Sequence, residues 1–342
     1  KGLSQFPSVL LASAECAPIS KTGGLADVVG TLPKSLKKLG IDARVITPYH
    51  RVIKDKYADQ VQHMFYFYAR LGWRSEYVGI EKLVLDGVTI YLVDNEHYFG
   101  DKIYRGGDGE IEQYAFFTRA VLDAIPNLDF KPQVVHCNDW HTAMIPMLGK
   151  TQYGSGMQAG LKYLLTIHNI AFQGKCGFDT VQDLLGVDSR YYTPEFMELN
   201  GCADFLKAGC VFADRINTVS PSYAEEIKSP YYGEGLEGIL NARHAVLTGI
   251  INGIDKVDYD FETYPISGFR GDEYWEKFLN NEYMNRTWFI YNEDGIPMVG
   301  LNVTENLVHA LYPEYGEIIW NFYKHYARDP ETKEIIYSEV GF

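Results

Sequence analysis

Five short apolar runs, each closing on polar residues, constrain this chain more than any other feature: VLLA at 9–12, DARVITP at 42–48, QVVHC at 133–137, KYLLTIHN at 162–169 and DRINTVS at 214–220. Runs this short and continuous fit strands buried on both faces of a parallel sheet. Helical patterns separate them over residues 1–255, so the expected fold is α/β, a Rossmann-like doubly wound parallel sheet with helices on both faces. In such sheets ligands gather at the carboxyl ends of the strands. The polar strand endings are therefore candidates as a group: Lys21, Asn138, Asp139, His168, Asn169 and Ser220.

The stretch SAECAPISKTGGLADVVGTLPKSL, residues 13–36, places a lysine and two glycines between the first strand and a helix. Leu25, Val28, Val29, Leu32 and Leu36 recur at helical steps, the helix should end near Leu39 and Gly40, and Pro33 should kink or break it. A helix N-terminus offers unpaired N–H groups and the positive end of its dipole, and Gly23 and Gly24 let a ligand approach the backbone. An anion, above all a phosphate, is one natural guest. The plainer reading is a tight turn beside a solvated Lys21. Neither GxGxxG nor GxxxxGK[ST] is present.

VLDGVTIYLVDN, residues 84–95, reads as a hairpin turning at Asp86 and Gly87, and residues 110–125 as a helix with a wide apolar face. Composition narrows the function. A net charge of −14 argues against nucleic acid, which needs clustered Lys and Arg; a neutral polymer or small metabolite is easier to accommodate. Cys16, Cys137, Cys176, Cys202 and Cys210 form no CxxC pair, so neither a zinc site nor a disulfide framework is indicated. No run approaches the length of a membrane span and no signal pattern opens the chain, so a cytoplasmic protein is expected. The 26 tyrosines suit stacking on sugar rings or an aromatic core equally.

In combination, KTGGLADVVGTLP at 21–33, HCNDWHT at 136–142, TIHNIAFQG at 166–174, FLKAGCVFADRINTVSPSYAEEI at 205–227 and GIINGID at 249–255 resemble the N-terminal domain of bacterial glycogen synthases and plant starch synthases. These are retaining glucosyltransferases built from two facing Rossmann-like domains, the GT-B architecture. The resemblance implies that Lys21, Gly23 and Gly24 meet the diphosphate of a donor, ADP-glucose or UDP-glucose. It implies that Asp27 faces the α-1,4-glucan acceptor or the donor sugar. Asp139 and His168 would hold hydroxyls of the transferred glucose and carry the catalytic role, with Asn138, Asn169 and Asn252 around them. No cofactor is implied beyond the donor. Each residue also has a structural reading; Asp139, for one, stands where it would cap a helix beginning at Trp140.

After residue 255 the alternation ceases, and residues 256–342 are expected to form a distinct aromatic-rich segment. The second nucleotide-binding domain of the family, with its Glu-Pro-x-Gly loop, is not found there. Residues 281–339 instead resemble the C-terminal end of α/β-hydrolase esterases: a strand at IPMVGLNV, His309 in the place of a triad base, and a final helix over 316–329. No GxSxG elbow supplies a serine. The sequence thus suggests a recombined or chimeric chain, an acceptor-side glucosyltransferase domain impaired by loss of its donor half. A glucan-binding scaffold and an esterase remnant are the alternatives.

Overall fold

The computed structural model describes residues 7–100 and 102–252 and, beyond them, the backbone of five strands, Tyr274–Leu279, Tyr283–Tyr291, Pro297–Thr304, Tyr326–Arg328 and Ile335–Tyr337. The chain divides into two compact units, Lys1–Ile254 and Asp255–Phe342.

The first unit begins with β1 (Val9–Ala12), α1 (Gly24–Lys38), β2 (Ala43–Pro48), α2 (Arg51–Tyr57), β3 (Gln62–Leu71), β4 (Arg74–Leu85) and β5 (Val88–Asp94). It continues through α3 (Glu96–Phe99), α4 (Gly107–Ala124), β6 (Val134–Asn138), α5 (Trp140–Thr151) and β7 (Lys162–Ile167). A small antiparallel sheet of β8 (Lys175–Cys176), β9 (Glu198–Leu199) and β10 (Cys202–Asp204) surrounds α6 (Phe178–Leu185). Then come α7 (Phe205–Phe212), β11 (Arg215–Thr218), α8 (Pro221–Glu226), α9 (Glu237–Ala242) and β12 (Leu247–Gly249).

Nine strands form one sheet in the order β12-β11-β7-β6-β1-β2-β5-β4-β3. Six neighbouring pairs, from β12 through to β5, run parallel, and only β5-β4 and β4-β3 are antiparallel. The chain leaves β1 for β2 on one side and returns as β6 on the other, so β1 and β6 flank the topological switch point, where a crevice opens beyond the strand ends. The period of two places Leu10 and Ala12 in the core under α4 and α5, and Leu11 in the core under α1 and α2. The parallel α/β reading is therefore correct, and the antiparallel hairpin extends the sheet at one edge. Its turn is built by Asp86 (φ 49°) and Gly87 (φ 74°), both left-handed, as a two-residue I′ connection requires. A one-residue bulge interrupts the outermost ladder between His63 and Phe65.

Pro33 does not break its helix. α1 runs unbroken through it, because the apolar face of Leu25, Val29 and Pro33 itself is buried against the sheet, and packing outweighs one missing N–H. The expected helix over 316–329 is contradicted at its end: Tyr326–Arg328 is a strand, antiparallel to Ile335–Tyr337. The partner strand's Ile335, Ile336 and Tyr337, β-branched and aromatic, favour a pleated pair with it over another helical turn. The rest of that span, and His309, lie outside the described residues. The IPMVGLNV strand does form, as the third member of a sheet in the order Tyr274–Leu279, Tyr283–Tyr291, Pro297–Thr304.

The crevice depends on a close helix pair beneath it. A Cβ on Gly209 of α7 would lie 2.7 Å from Ala143 Cβ and 2.9 Å from Ala143 O on α5, closer than packed atoms stand. Gly209→Ala is expected to lower stability by about 1–3 kcal/mol through overpacking, read from the urea midpoint. An unchanged midpoint would show that α7 is free to shift.

Candidate functional site

The carboxyl ends of β1, β6 and β7 surround a cleft of about 570 Å3. Glu15, Thr22, Gly23, Gly24 and Leu25 line it after β1; Asp139, Trp140 and His141 after β6; His168, Asn169 and Phe172 after β7; and Tyr104, Glu110, Val219 and Asn252 complete it.

Asp139 is the centre of this arrangement. Its backbone is left-handed in φ (55°) and extended in ψ (−175°), a conformation that costs a non-glycine residue of order 1–3 kcal/mol. It occupies the N-cap position of α5, yet its side chain makes no capping bond. The carboxylate turns to the neighbouring strand, where Oδ1 accepts from the backbone N–H of His168 (2.7 Å) and of Asn169 (3.3 Å). Thr142 secures the helix start instead, its Oγ1 accepting from Asn138 N at 2.6 Å. Asp139 is 7% exposed, and burial raises its pKa to about 7 against the pull of the two N–H bonds.

His168 is held by Asn138, whose Oδ1 lies 3.0 Å from His168 Nε2. An amide oxygen only accepts, so Nε2 carries the proton and Nδ1 is left as an acceptor. Burial lowers the His168 pKa to about 4, so the ring is neutral near pH 7. Asn138 is fully buried, and its Nδ2 donates to Ala12 O (3.1 Å) and His136 O (3.3 Å). It fixes the histidine from behind and does not line the cleft.

Gly23 and Gly24 open the N-terminus of α1. Neither has a positive φ, but a Cβ on either would meet nothing within 4 Å, and no side chain caps this end. Glu15 anchors the turn: its Oε2 accepts from Thr22 Oγ1 at 2.8 Å and from Thr22 N. Lys21 and Asp27 do not line the cleft; they form an ion pair of 2.6 Å, both about half exposed. Ser220 caps α8 by accepting from Tyr223 N at 3.0 Å.

Sequence reasoning therefore found Gly23, Gly24, Asp139, His168, Asn169 and Asn252 among the lining residues and missed Glu15, Tyr104, Glu110 and His141. His141 is buried between the rings of Trp140 (centroids 4.2 Å apart), Tyr114 (4.5 Å) and Tyr104 (4.9 Å). Burial lowers its pKa, while Glu110 at 3.5 Å opposes the shift. Its place in the HCNDWHT motif, beside Trp140 in the first turn of α5, was the available signal. Among the described residues no cluster of His, Cys, Asp or Glu could hold a metal ion, and no helix is long and apolar enough to cross a membrane. The cleft is thus equipped with a neutral imidazole, buried carboxylates, aromatic walls and an uncapped helix N-terminus, a set that can bind hydroxyls and a phosphate together.

A raised pKa has a sign that stability must follow. The native state holds the Asp139 proton up to about pH 7 and the unfolded chain releases it near pH 4, so the contribution is fully present below about pH 4 and is lost as pH rises to 7. Asp139→Asn keeps an acceptor for the two N–H groups without the charge. Relative to the variant, the native protein should lose a few kcal/mol of unfolding free energy between pH 4 and pH 7. A constant difference across that range would show that Asp139 titrates normally.

Residues 8–242 match the family model described as starch synthase catalytic domain. The chain is 42% identical over 303 residues to the glycogen synthase of Lachnospira eligens, covering 86% of this chain and 63% of the relative. It is 38% identical over 339 residues to that of Geobacillus thermodenitrificans, covering 94% and 70%. With the glycogen synthase of Clostridium kluyveri it shares 47% identity over 256 residues, covering 74% and 54%. The catalytic domain of Starch Synthase IV from Arabidopsis thaliana superposes with a TM-score of 0.68 at 26% identity, covering 74% of this chain and 53% of that one. The chain thus spans between 54% and 70% of these curated relatives. The Geobacillus match, over 94% of the chain, has to run well past residue 255. No comparison supports a chimera, the esterase likeness of residues 281–339, a non-catalytic scaffold, or inactivity through a missing donor half. A family model spanning more than half of the sequence, relatives at 38–47% identity and a crevice at the switch point of the sheet agree: this chain belongs to the starch synthase catalytic domain family, together with the bacterial glycogen synthases.

Proposed function

We propose that this chain supplies the acceptor-side domain of a glucosyltransferase that moves glucose from a nucleotide-glucose to the non-reducing end of an α-1,4-glucan. The observation that carries this reading is buried Asp139, tied to the backbone of half-buried His168, lining one cleft with the open N-terminus of α1. A hydroxyl-rich substrate needs paired donors and acceptors held in place; here Asp139 Oδ1 is fixed by two backbone N–H groups and His168 Nε2 by Asn138. The leaving nucleoside diphosphate carries its charge to the glycine turn, where helix N–H groups and the Lys21 ammonium stabilise it. Lys21 makes this contact by exchanging Asp27 for phosphate, a small cost for an exposed ion pair. The catalytic domain from Arabidopsis is bound to ADP and acarbose, which supports a nucleotide-sugar donor here, and ADP-glucose is the donor proposed.

Incorporation of radiolabelled glucose into glycogen, compared between ADP-glucose and UDP-glucose, tests the reaction and the donor. ADP-glucose should be the better donor; transfer from neither, with no binding of either at millimolar concentration, would end the proposal. Lys21→Ala should weaken nucleotide-glucose binding by about 1–3 kcal/mol, the range for a charged hydrogen bond. Unaltered affinity would return Lys21 to a surface role.

A further inference from the structure

Glu110 lines the cleft, yet a carboxylate beside a bound diphosphate repels it unless both of its oxygens are already engaged. Here both are engaged. Oε2 accepts from Gly106 N at 2.7 Å, reaching back to the N-cap of α4, and Oε1 stands 3.5 Å from His141 Nε2 in the first turn of α5. We propose that Glu110 is a positioning residue for donor binding, acting through His141 and Tyr104 on the glycine turn and touching no substrate itself; the proposal rests on the glucosyltransferase reading for the identity of the donor.

The segment that carries Tyr104, residues 102–106, has no strand or helical turn of its own, so its shape comes from the side chains of α4. Before Tyr104, Gln113 Nε2 donates to Lys102 O at 3.2 Å and Tyr114 Oη to Ile103 O at 2.7 Å. After it, Glu110 holds the Gly106 N–H. Gly106 (φ 78°) and Gly107 (φ 57°) are both left-handed, and the N-cap glycine has no side chain with which to secure the helix start, so this sharp entry into α4 relies on the Glu110 carboxylate. Burial pushes the Glu110 carboxyl up, yet the contacts with His141 and the Gly106 N–H together hold it below the usual carboxylate range. It is therefore an acceptor at neutral pH, and Nε2 of His141 carries the proton that faces it.

Tyr104 is what this segment delivers to the cleft. Its ring packs on His141 with centroids 4.9 Å apart, and its hydroxyl faces the Glu15 carboxylate and the Thr22 hydroxyl. Glu15 in turn fixes the turn that opens α1, through Thr22 Oγ1 at 2.8 Å and Thr22 N. One path thus runs from the first turn of α4, across the first turn of α5, to the first turn of α1. A displacement of Tyr104 frees Glu15 to move, and the N–H groups that would meet the phosphates move with it; small misplacements of this kind are costly where a ligand must be held in one geometry.

Calorimetric titration of the whole chain with ADP-glucose, joined to amide exchange at Thr22, tests this through a double-mutant cycle. Glu110→Ala and Tyr104→Phe should each weaken binding about tenfold, the scale of one hydrogen bond, and the double variant should bind no more weakly than either alone. His141→Phe keeps the ring stack without the Glu110 contact and should show the same loss. Glu110→Gln retains an acceptor for the Gly106 N–H and should recover most of the affinity. Without donor present, exchange at the Thr22 N–H should quicken in Glu110→Ala and slow again in Glu110→Gln. Additive losses in the double variant would mean that Glu110 acts independently of Tyr104 and would overturn the proposal, as would native affinity in Glu110→Ala or unchanged exchange at Thr22; in each case a native chain that binds ADP-glucose leaves the donor reading standing. A native chain that binds no ADP-glucose ends the donor reading and this proposal with it.

Discussion

Everything at the cleft is arranged around one buried carboxylate. By turning Asp139 Oδ1 onto the N–H groups of His168 and Asn169, the chain ties the end of β6 to the end of β7 where the ladder has run out of partners. The alternatives are costly: an unpaired buried carboxylate, or two unpaired N–H groups at a strand end. The left-handed backbone at Asp139 is the strain that buys this geometry. Asn138 then extends the same logic to β1, holding Ala12 O with one end of its amide and His168 with the other. Three strands are thus registered at their carboxyl ends by two adjacent side chains.

The glycine turn depends on this frame. Glu15 leaves β1 buried and captures Thr22, which places the first turn of α1 on the same rim as Asp139 and His168. The glycine turn and the Asp139–His168 segment therefore share one wall, though they come from segments more than a hundred residues apart. Neither stretch alone specifies a reaction; the switch point of the sheet brings them together.

The parallel strands were legible because burial on both faces writes itself as an unbroken apolar run, and Leu10, Leu11 and Ala12 are indeed fully buried. The Asp86–Gly87 turn was legible because few dipeptides tolerate two left-handed residues. Helix α2, with Ile53 as its one buried residue, and the two- and three-residue strands around α6 carry too little periodicity to be seen. The break that Pro33 could have made does not occur and the expected helix gives way at Tyr326, where local preference yielded to packing and to strand pairing. At the site, glycines and strand-end polar residues stood out. Glu15 and His141 did not, because a buried acid and a buried imidazole look in sequence like any surface acid and histidine. Asn138 stood out for the wrong reason, since it supports His168 from inside the core.

The bulge in β3 bears on how the molecule behaves in a crowd. β3 is the last strand of a nine-stranded sheet, and its outer edge offers a ladder that another chain could extend. The extra residue between His63 and Phe65 breaks the regular alternation of that edge near its start. A foreign strand that paired from the hairpin end would run along the regular stretch from Leu71 back to Phe65 and lose register only at the bulge. Among the described strands the edge is therefore regular over Phe65–Leu71 and interrupted only where β3 begins.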